Sequence, residues 1–435
     1  MKATLKSGRP PSAIFHAITV VWGREYLAFF LDRCIPNQLG DGNLAALPPG
    51  SRYRIMTRAT HVAEIQAHPA VQALGQVMAV DVVAVPELDA VDRPDPARRG
   101  DPRYELMTVC HRQAIGDALR SGAALIFLAP DIIVSVGTFA AVVRQHRAGF
   151  RAVVCTGLRL EKDEFLQSLD GQDDAAGALA PRDLVRVALP HLHEQMRSMF
   201  LDSTAFSTFP VAVYWRVGAD GLLARSFHLH PLMLDPTSAK AMPKGTVDGD
   251  YLARACPDPA LVHVVVDSDE FVLFELTRAD RPVHPCGKDV PAERRQALVD
   301  TGRVRSTGAG VAIWRATSVA ARCDDFQLRF WQDFTIRIHG GDLHPRWATA
   351  EATATAFVSA VMRRCRPFGI KSRRWFKWLE RWRQRQDRYR QAWRRRVPRI
   401  RLKQVLRPVR LAPARVSKRL RKATRQWRRQ AGVLR

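Results

Sequence analysis

No stretch of this 435-residue chain approaches the roughly 18 uncharged apolar residues that a membrane-spanning helix requires. The seven cysteines, Cys34, Cys110, Cys155, Cys256, Cys286, Cys323 and Cys365, include no C-x-x-C pair. Their odd number and scatter argue against a disulfide framework and against a zinc site. Several sit in apolar runs, as buried thiols do in a reducing compartment. No G-x-G-x-x-G follows the first apolar segment, and G-x-x-x-x-G-K-[ST] is missing, which argues against a dinucleotide site and a P-loop. G-x-S-x-G and H-E-x-x-H are missing too, so neither a hydrolase elbow nor a zinc-protease helix is expected. Acids are scarce among the bases of the C-terminal stretch. Residues 363–435 hold 29 of the 68 Lys and Arg residues but only Glu380 and Asp387, a net of +27. The preceding 362 residues balance 39 bases against 40 acids.

A near-neutral body and a cationic tail need separate explanations. At 46% apolar residues the chain can bury a substantial core, and a disordered body is excluded. The apolar segment 13–22 follows Lys2, Lys6 and Arg9 and so imitates a signal peptide. It contains His16 and runs into Gly23-Arg24-Glu25 without a small-residue cleavage site, which favours a first core strand.

The first 160 residues alternate between two patterns. Strands are predicted over 14–22, 53–57, 77–85, 123–128 and 152–156, and helices over 25–38, 59–74, 104–121 and 137–148. A loop rich in Pro, Asp and Arg fills 87–103. Strands that are apolar throughout and separated by helices imply a parallel sheet covered on both faces. The next 200 residues are less regular. An acidic loop is expected over 161–180 and a helix, kinked at Pro190, over 182–200. Strands are expected over 210–217, 221–228, 261–267 and 271–276, a loop over 278–310, and mostly helix over 311–361, interrupted at Gly340-Gly341. The expected class is therefore α/β, with a mostly parallel central sheet of Rossmann type and a mixed C-terminal half on one continuous sheet. The domain spans 1–362, in halves of about 12–160 and 161–362, followed by the tail 363–435.

In open parallel sheets, ligands bind beyond the carboxyl ends of the strands. Those ends carry Gly23-Arg24-Glu25, Thr57-Arg58, Pro86-Glu87 and Ala129-Pro130-Asp131. Asp131 stands out because it ends a buried strand, where a carboxylate can hold a divalent cation and through it a diphosphate. Position alone favours the simpler role of a turn or cap residue. Phe227-His228-Leu229-His230 offers two imidazoles two residues apart, on one side of a strand, suited to metal, phosphate or acid–base work. Gly245-Thr246-Val247-Asp248-Gly249-Asp250 places two carboxylates on a loop. Asp267-Ser268-Asp269-Glu270 reads as a turn between strands.

The order of these pieces resembles the GT-A glycosyltransferases over roughly residues 12–276. The resemblance rests on the apolar first strand, the strand–helix alternation, and AALIFLAPDIIVS after a long helix. FHLHPLML and GTVDGDYL look like acceptor-side segments of bacterial nucleotide-diphospho-sugar transferases. The resemblance implies a GT-A-like fold and transfer of a sugar from a nucleotide-sugar donor to a glycan or lipid-linked acceptor. It also implies a D-x-D motif holding Mn²⁺ or Mg²⁺. Here that motif is Ala129-Pro130-Asp131, with its last acid alone, so Asp131 is the expected metal ligand and His230 or His228 the expected second one. If the enzyme is metal-independent, Arg58, Lys240 or Lys244 neutralises the diphosphate. Trp22, Gly23 and Arg24 are expected at the donor. In an inverting enzyme, Asp248 or Asp250 is the expected base.

Within the tail, Trp375, Trp378, Trp382 and Trp393 recur mostly at helical steps among basic residues. A basic helix with aromatics on one side lies in a membrane interface, where each Lys or Arg contributes about 1 kcal/mol near anionic lipid. Pro398 and Pro408 break the pattern, and a second basic helix is expected over 415–430. An anionic membrane surface is the expected partner, and nucleic acid, which Arg and Trp can also bind, is the rival. The expected location is cytoplasmic, on the inner membrane. The alternative to an enzyme is a non-catalytic α/β protein whose tail docks on nucleic acid or membrane.

Overall fold

Phe15–Val20 (β1) is buried at every residue, which requires a strand on each side and a layer on each face. The computed structural model describes residues 11–90, 102–171, 178–203, 206–207, 209–237, 241–248, 251–280, 309–342 and 346–365. All belong to the first of the two units into which the chain divides, Met1–Arg374. Lys240, Asp250, the tail tryptophans, most of the loops expected over 87–103 and 278–310, and the helix expected over 415–430 lie outside the described residues.

β1 pairs in parallel with Arg52–Thr57 (β2) and with Ala124–Leu128 (β4), and β2 pairs in parallel with Ala79–Ala84 (β3). Beyond β4 comes His230–Leu234 (β10), antiparallel to both β4 and Ala152–Cys155 (β6). Val262–Val264 (β11) closes the edge in parallel with β6. The seven-stranded order is β11-β6-β10-β4-β1-β2-β3. The fold is α/β with a mostly parallel central sheet flanked by helices.

The single continuous sheet expected from the sequence is corrected to three among the described residues. Ile132–Val134 (β5), Leu158–Glu161 (β7) and Leu273–Thr277 (β12) form a small sheet in the order β5-β12-β7. Ala212–Val217 (β8), Gly221–Ser226 (β9) and Ile336–His339 (β13) form another, in the order β13-β9-β8. β13 falls inside a stretch expected to be mostly helical. That last sheet supports a second core, where Phe227 stacks on Trp331 at 4.0 Å, and Trp331 and Trp215 each pack edge-on against Phe357 of the helix Arg346–Cys365. Stacked pairs of this kind add about 0.5–1.5 kcal/mol beyond area burial.

The helices also depart from expectation in physically legible ways. The stretch 24–38 is one helical run made of Arg24–Phe29 (α1), a π turn at Phe30–Cys34, and Ile35–Gln38 (α2). Pro36 offers no N–H and its ring crowds the preceding turn, so the run widens there. The helix expected over 59–74 is broken at His68-Pro69 into Val62–Ala67 (α3) and Pro69–Val77 (α4). Pro102–Ser121 (α5) leads into β4, and Thr138–Arg147 (α6) leads into β6. The expected acidic loop contains a helix, Lys162–Asp170 (α7), whose N-terminus is capped by Glu161. The kinked helix becomes Pro181–Ala188 (α8), a 3₁₀ turn holding Pro190, and Glu194–Arg197 (α9). No helix among the described residues is long and apolar enough to cross a membrane.

Candidate functional site at the carboxyl edge of the sheet

The strand order runs β1-β2-β3 in one direction and β1-β4 in the other. The chain therefore reverses its winding at β1, and a crevice opens between the carboxyl ends of β1 and β4. Right-handed crossovers put α1 to α4 on one face and α5 on the other. Trp22, Gly23 and Arg24 leave β1 at this crevice, and Asp131 leaves β4 there. Gly23 has φ +83° and turns the strand into α1, a conformation that a side chain would strain. Trp22 is half-buried and Arg24 exposed. Arg58 follows β2 along the same edge and is half-buried.

Asp131 is 9% exposed. Its backbone carbonyl accepts from Leu276 N–H at 2.8 Å, which fixes it to β12. The Asn37 amide, reaching across from α2, bonds both the N–H and the carbonyl of Val134, and so anchors β5 just beyond it. Cys34, in the π turn, donates its thiol to the Pro130 carbonyl at 3.2 Å. Burial pushes the Asp131 carboxyl up to about 8, and Glu275 adds to this, while Arg159 and Lys162 oppose it. Arg159 is bound to Glu275 at 2.7 Å. Lys162 lies 3.9 Å from Glu25 and over the Phe29 ring.

His230 and Asp248 belong to a second group. His230 Nε2 donates to the Phe127 carbonyl at 3.0 Å, at the end of β4. His111, on α5, packs edge-on against Phe127. Burial lowers the His111 ring to about 4, with Asp248 pulling it up and His230 pushing it further down. His111 Nδ1 is buried without a hydrogen-bond partner, while Asp248 is exposed. His228 does not share a strand face with His230. It lies in the link between β9 and β10, and Gln327 Nε2 is 3.1 Å from its Nδ1. His228 and Asp248 line one pocket with Phe227, Leu229, Gln327 and Phe330. Lys244 is exposed four residues before Asp248.

Of the two histidines expected beside Asp131, His230 is bonded to the Phe127 carbonyl and His228 meets Gln327. Among the described residues, the one group of three or more His, Cys, Asp and Glu close enough to share an ion is Asp267, Asp269 and His339. Around Asp131, the carboxylates of Glu275, Glu25 and Asp280 stand beside Arg159, Lys162 and Arg278. Sequence reasoning missed Arg159, Lys162, Glu275 and His111. The first three reach Asp131 only through the pairing of β12 with β5 and β7, and no spacing signals that.

No protein-family model matches the chain, and no curated protein matches it.

Proposed function

We propose that the protein is a glycosyltransferase of GT-A type that takes a sugar from a nucleoside-diphosphate donor. The observation that carries this is the placement of Asp131, a buried acid, at the crevice between β1 and β4 with Lys162 and Arg159 beside it. The donor's diphosphate would lie over this edge, held by Arg24, Arg58 and Lys162 rather than by a metal. A carboxyl kept neutral by burial donates a hydrogen bond, which suits a sugar or ribose hydroxyl. Transfer is a displacement at the anomeric carbon. The acceptor oxygen bonds to carbon as the bond to the diphosphate breaks, and fixed positive charge stabilises the departing group. In an inverting course Asp248 takes the acceptor's proton, with His111 and His230 behind it. Asp250 is the neighbouring candidate from the sequence. The acceptor is a glycan or lipid-linked glycan, and the tail 363–435 holds the enzyme at an anionic membrane surface on the cytoplasmic side.

The test is a thermal-shift screen of the intact protein against UDP-, GDP-, CMP- and dTDP-sugars, with and without Mn²⁺. A bound donor raises the melting temperature by mass action, Mn²⁺ leaves that rise unchanged, and slow release of nucleoside diphosphate accompanies it. If no sugar nucleotide shifts the melting temperature and none is hydrolysed, the reading fails. A non-catalytic α/β binding protein then takes its place.

A further inference from the structure

The turn after β11 reads Asp267-Ser268-Asp269, and it is bonded to β13 in two places. Ser268 N–H donates to the Arg337 carbonyl at 2.9 Å, and Ser268 Oγ accepts from His339 N–H at 3.0 Å. This fixed backbone brings one ligand atom from each of Asp267, Asp269 and His339 within 4.8 Å of one another. The His339 ring is 2% exposed, whereas the two carboxylates are 33% and 43% exposed. The group is therefore rigid on its imidazole side and open to solvent on the other.

The hydrogen positions expose a conflict. His339 Nδ1 lies 2.6 Å from the Gly341 carbonyl oxygen. A carbonyl only accepts, so Nδ1 carries the hydrogen. In a neutral ring Nε2 is then a bare acceptor. Yet Nε2 faces Asp267 Oδ1 at 3.0 Å and Asp269 Oδ1 at 3.9 Å. Acceptors held this close need positive charge between them, either a second ring proton or a metal ion.

The local charge favours the ion. Asp269 is bonded by Arg182 through Nε and Nη2, and the same guanidinium reaches Asp342 through Nη1. Arg337 is engaged by Glu351 and Arg186 by Asp183. Asp220 sits against Gly341, so close that any side chain on Gly341 would strike its carboxylate. Among the described residues, one guanidinium is thus shared by Asp269 and Asp342, and Asp267 faces His339 without a bond to that guanidinium. Each Asp269 oxygen keeps a lone pair beyond the one given to Arg182.

We propose that Asp267, Asp269 and His339 bind one divalent first-row transition ion. His339 Nε2 and one oxygen of each carboxylate are the ligands, and solvent completes the shell. Ligands at about 2.1 Å from a metal and at right angles lie about 3.0 Å apart, which matches His339 Nε2 and Asp267 Oδ1. The Nδ1–H bond to a backbone carbonyl is how metal-binding histidines are usually oriented. A nitrogen donor beside carboxylates favours Zn²⁺ or Mn²⁺ over Ca²⁺ or Mg²⁺. This site closes the edge strand of the main sheet and stands apart from the donor reading.

The intact protein is stripped with a chelator and titrated with Zn²⁺ and with Co²⁺, read by bound-metal analysis and visible absorption. One equivalent should bind. Asp267→Asn and Asp269→Asn, both on partly exposed side chains, should fold by circular dichroism and weaken binding at least tenfold. His339→Gln should remove the cobalt absorption. Wild-type affinity in both Asp variants overturns the proposal. So does a wild-type protein that takes up no ion, in which ¹⁵N NMR finds both His339 ring nitrogens protonated at neutral pH.

Discussion

Asp235 and Arg151 form an ion pair of 3.2 Å in which neither side chain is more than 1% exposed. Asp235 ends β10 and Arg151 precedes β6, and Asp235 N–H also donates to the Arg151 carbonyl at 2.7 Å. Ser12 donates to both Asp235 oxygens at 2.9 Å, and His146 Nε2 lies 3.0 Å away. This network ties down the far end of the one antiparallel strand in the main sheet. The near end of that strand is His230. The buried charges at one edge thus hold in register the strand that delivers a candidate residue to the other.

Asp235→Asn should therefore destabilise the protein strongly. Losing one member of a buried pair strands the other charge, at a cost of roughly 3–5 kcal/mol. Burial pushes the Asp235 carboxyl up, but the bonds from His146 and Ser12 and the charge of Arg151 outweigh it and hold it below its ordinary value. The folded form then binds its proton less readily than the unfolded chain. The stabilisation is present above about pH 4 and is lost as pH falls through the depressed value. Urea denaturation should show the wild-type–variant gap near its maximum at pH 7 and shrinking below pH 4. A gap of equal size at every pH would rule out the charge as its cause.

Asp131 behaves in the opposite sense. Its carboxyl is raised from 3.8 to about 8, so the folded form holds the proton more tightly. Stability is unaffected by this group at acid pH, falls as pH rises from about 4 to about 8, and stays reduced above that. Asp131→Asn should melt above wild type at pH 9 and alongside it near pH 4, while donor binding is lost at both. A variant that is less stable at pH 9 and still binds donor would make Asp131 a structural cap.

The strands β1, β4 and β6 are legible because each is short, largely apolar and fully buried, as strands covered on both faces must be. β10 is not. Its sequence is His-Pro-Leu-Met-Leu, and a proline argues against an inner strand because it cannot donate to the ladder. The structure resolves this with a register shift against β6 between Pro231 and Met233. α7 was hidden because Glu161, Asp163 and Glu164 read as loop acids, although Glu161 accepts from Glu164 N–H at 2.9 Å as an N-cap. Asp131 could be picked out from its place after a buried strand. His339 could not be linked to Asp267 and Asp269, some 70 residues earlier, because only the docking of β13 brings them together.

His111 should titrate near pH 4, with burial as the main cause. Between about pH 6.5 and pH 4 the unfolded chain takes up the proton first, so this group removes stability as pH falls through that window. Asp248→Asn should lower the His111 value further, and His230→Gln should raise it. Both follow from ring-proton NMR shifts in the folded protein. If neither substitution moves the His111 titration, the three side chains do not share a field, and Asp248 loses its assigned surroundings.

Almost any attraction of this protein to a polyanion must come from the tail, because the preceding 362 residues are nearly neutral. The structure refines where to cut. The helix Arg346–Cys365 buries Phe357, Val358 and Val361, and the Cys365 thiol donates to the Thr317 carbonyl. A deletion should therefore begin at residue 366 rather than 363. It should leave a folded body that still binds donor, and it should abolish sedimentation with vesicles containing anionic lipid. Binding by the intact protein should weaken as salt rises, since charge is screened over about 8 Å at physiological ionic strength. A salt-resistant part should remain, because burial of Trp375, Trp378, Trp382 and Trp393 in the interface is not screened. Replacing Trp375, Trp378 and Trp382 with Ala should remove that part and leave the salt-sensitive part. An intact protein that ignores anionic vesicles but binds RNA or DNA tightly, and less tightly without those tryptophans, would transfer the tail from membrane to nucleic acid.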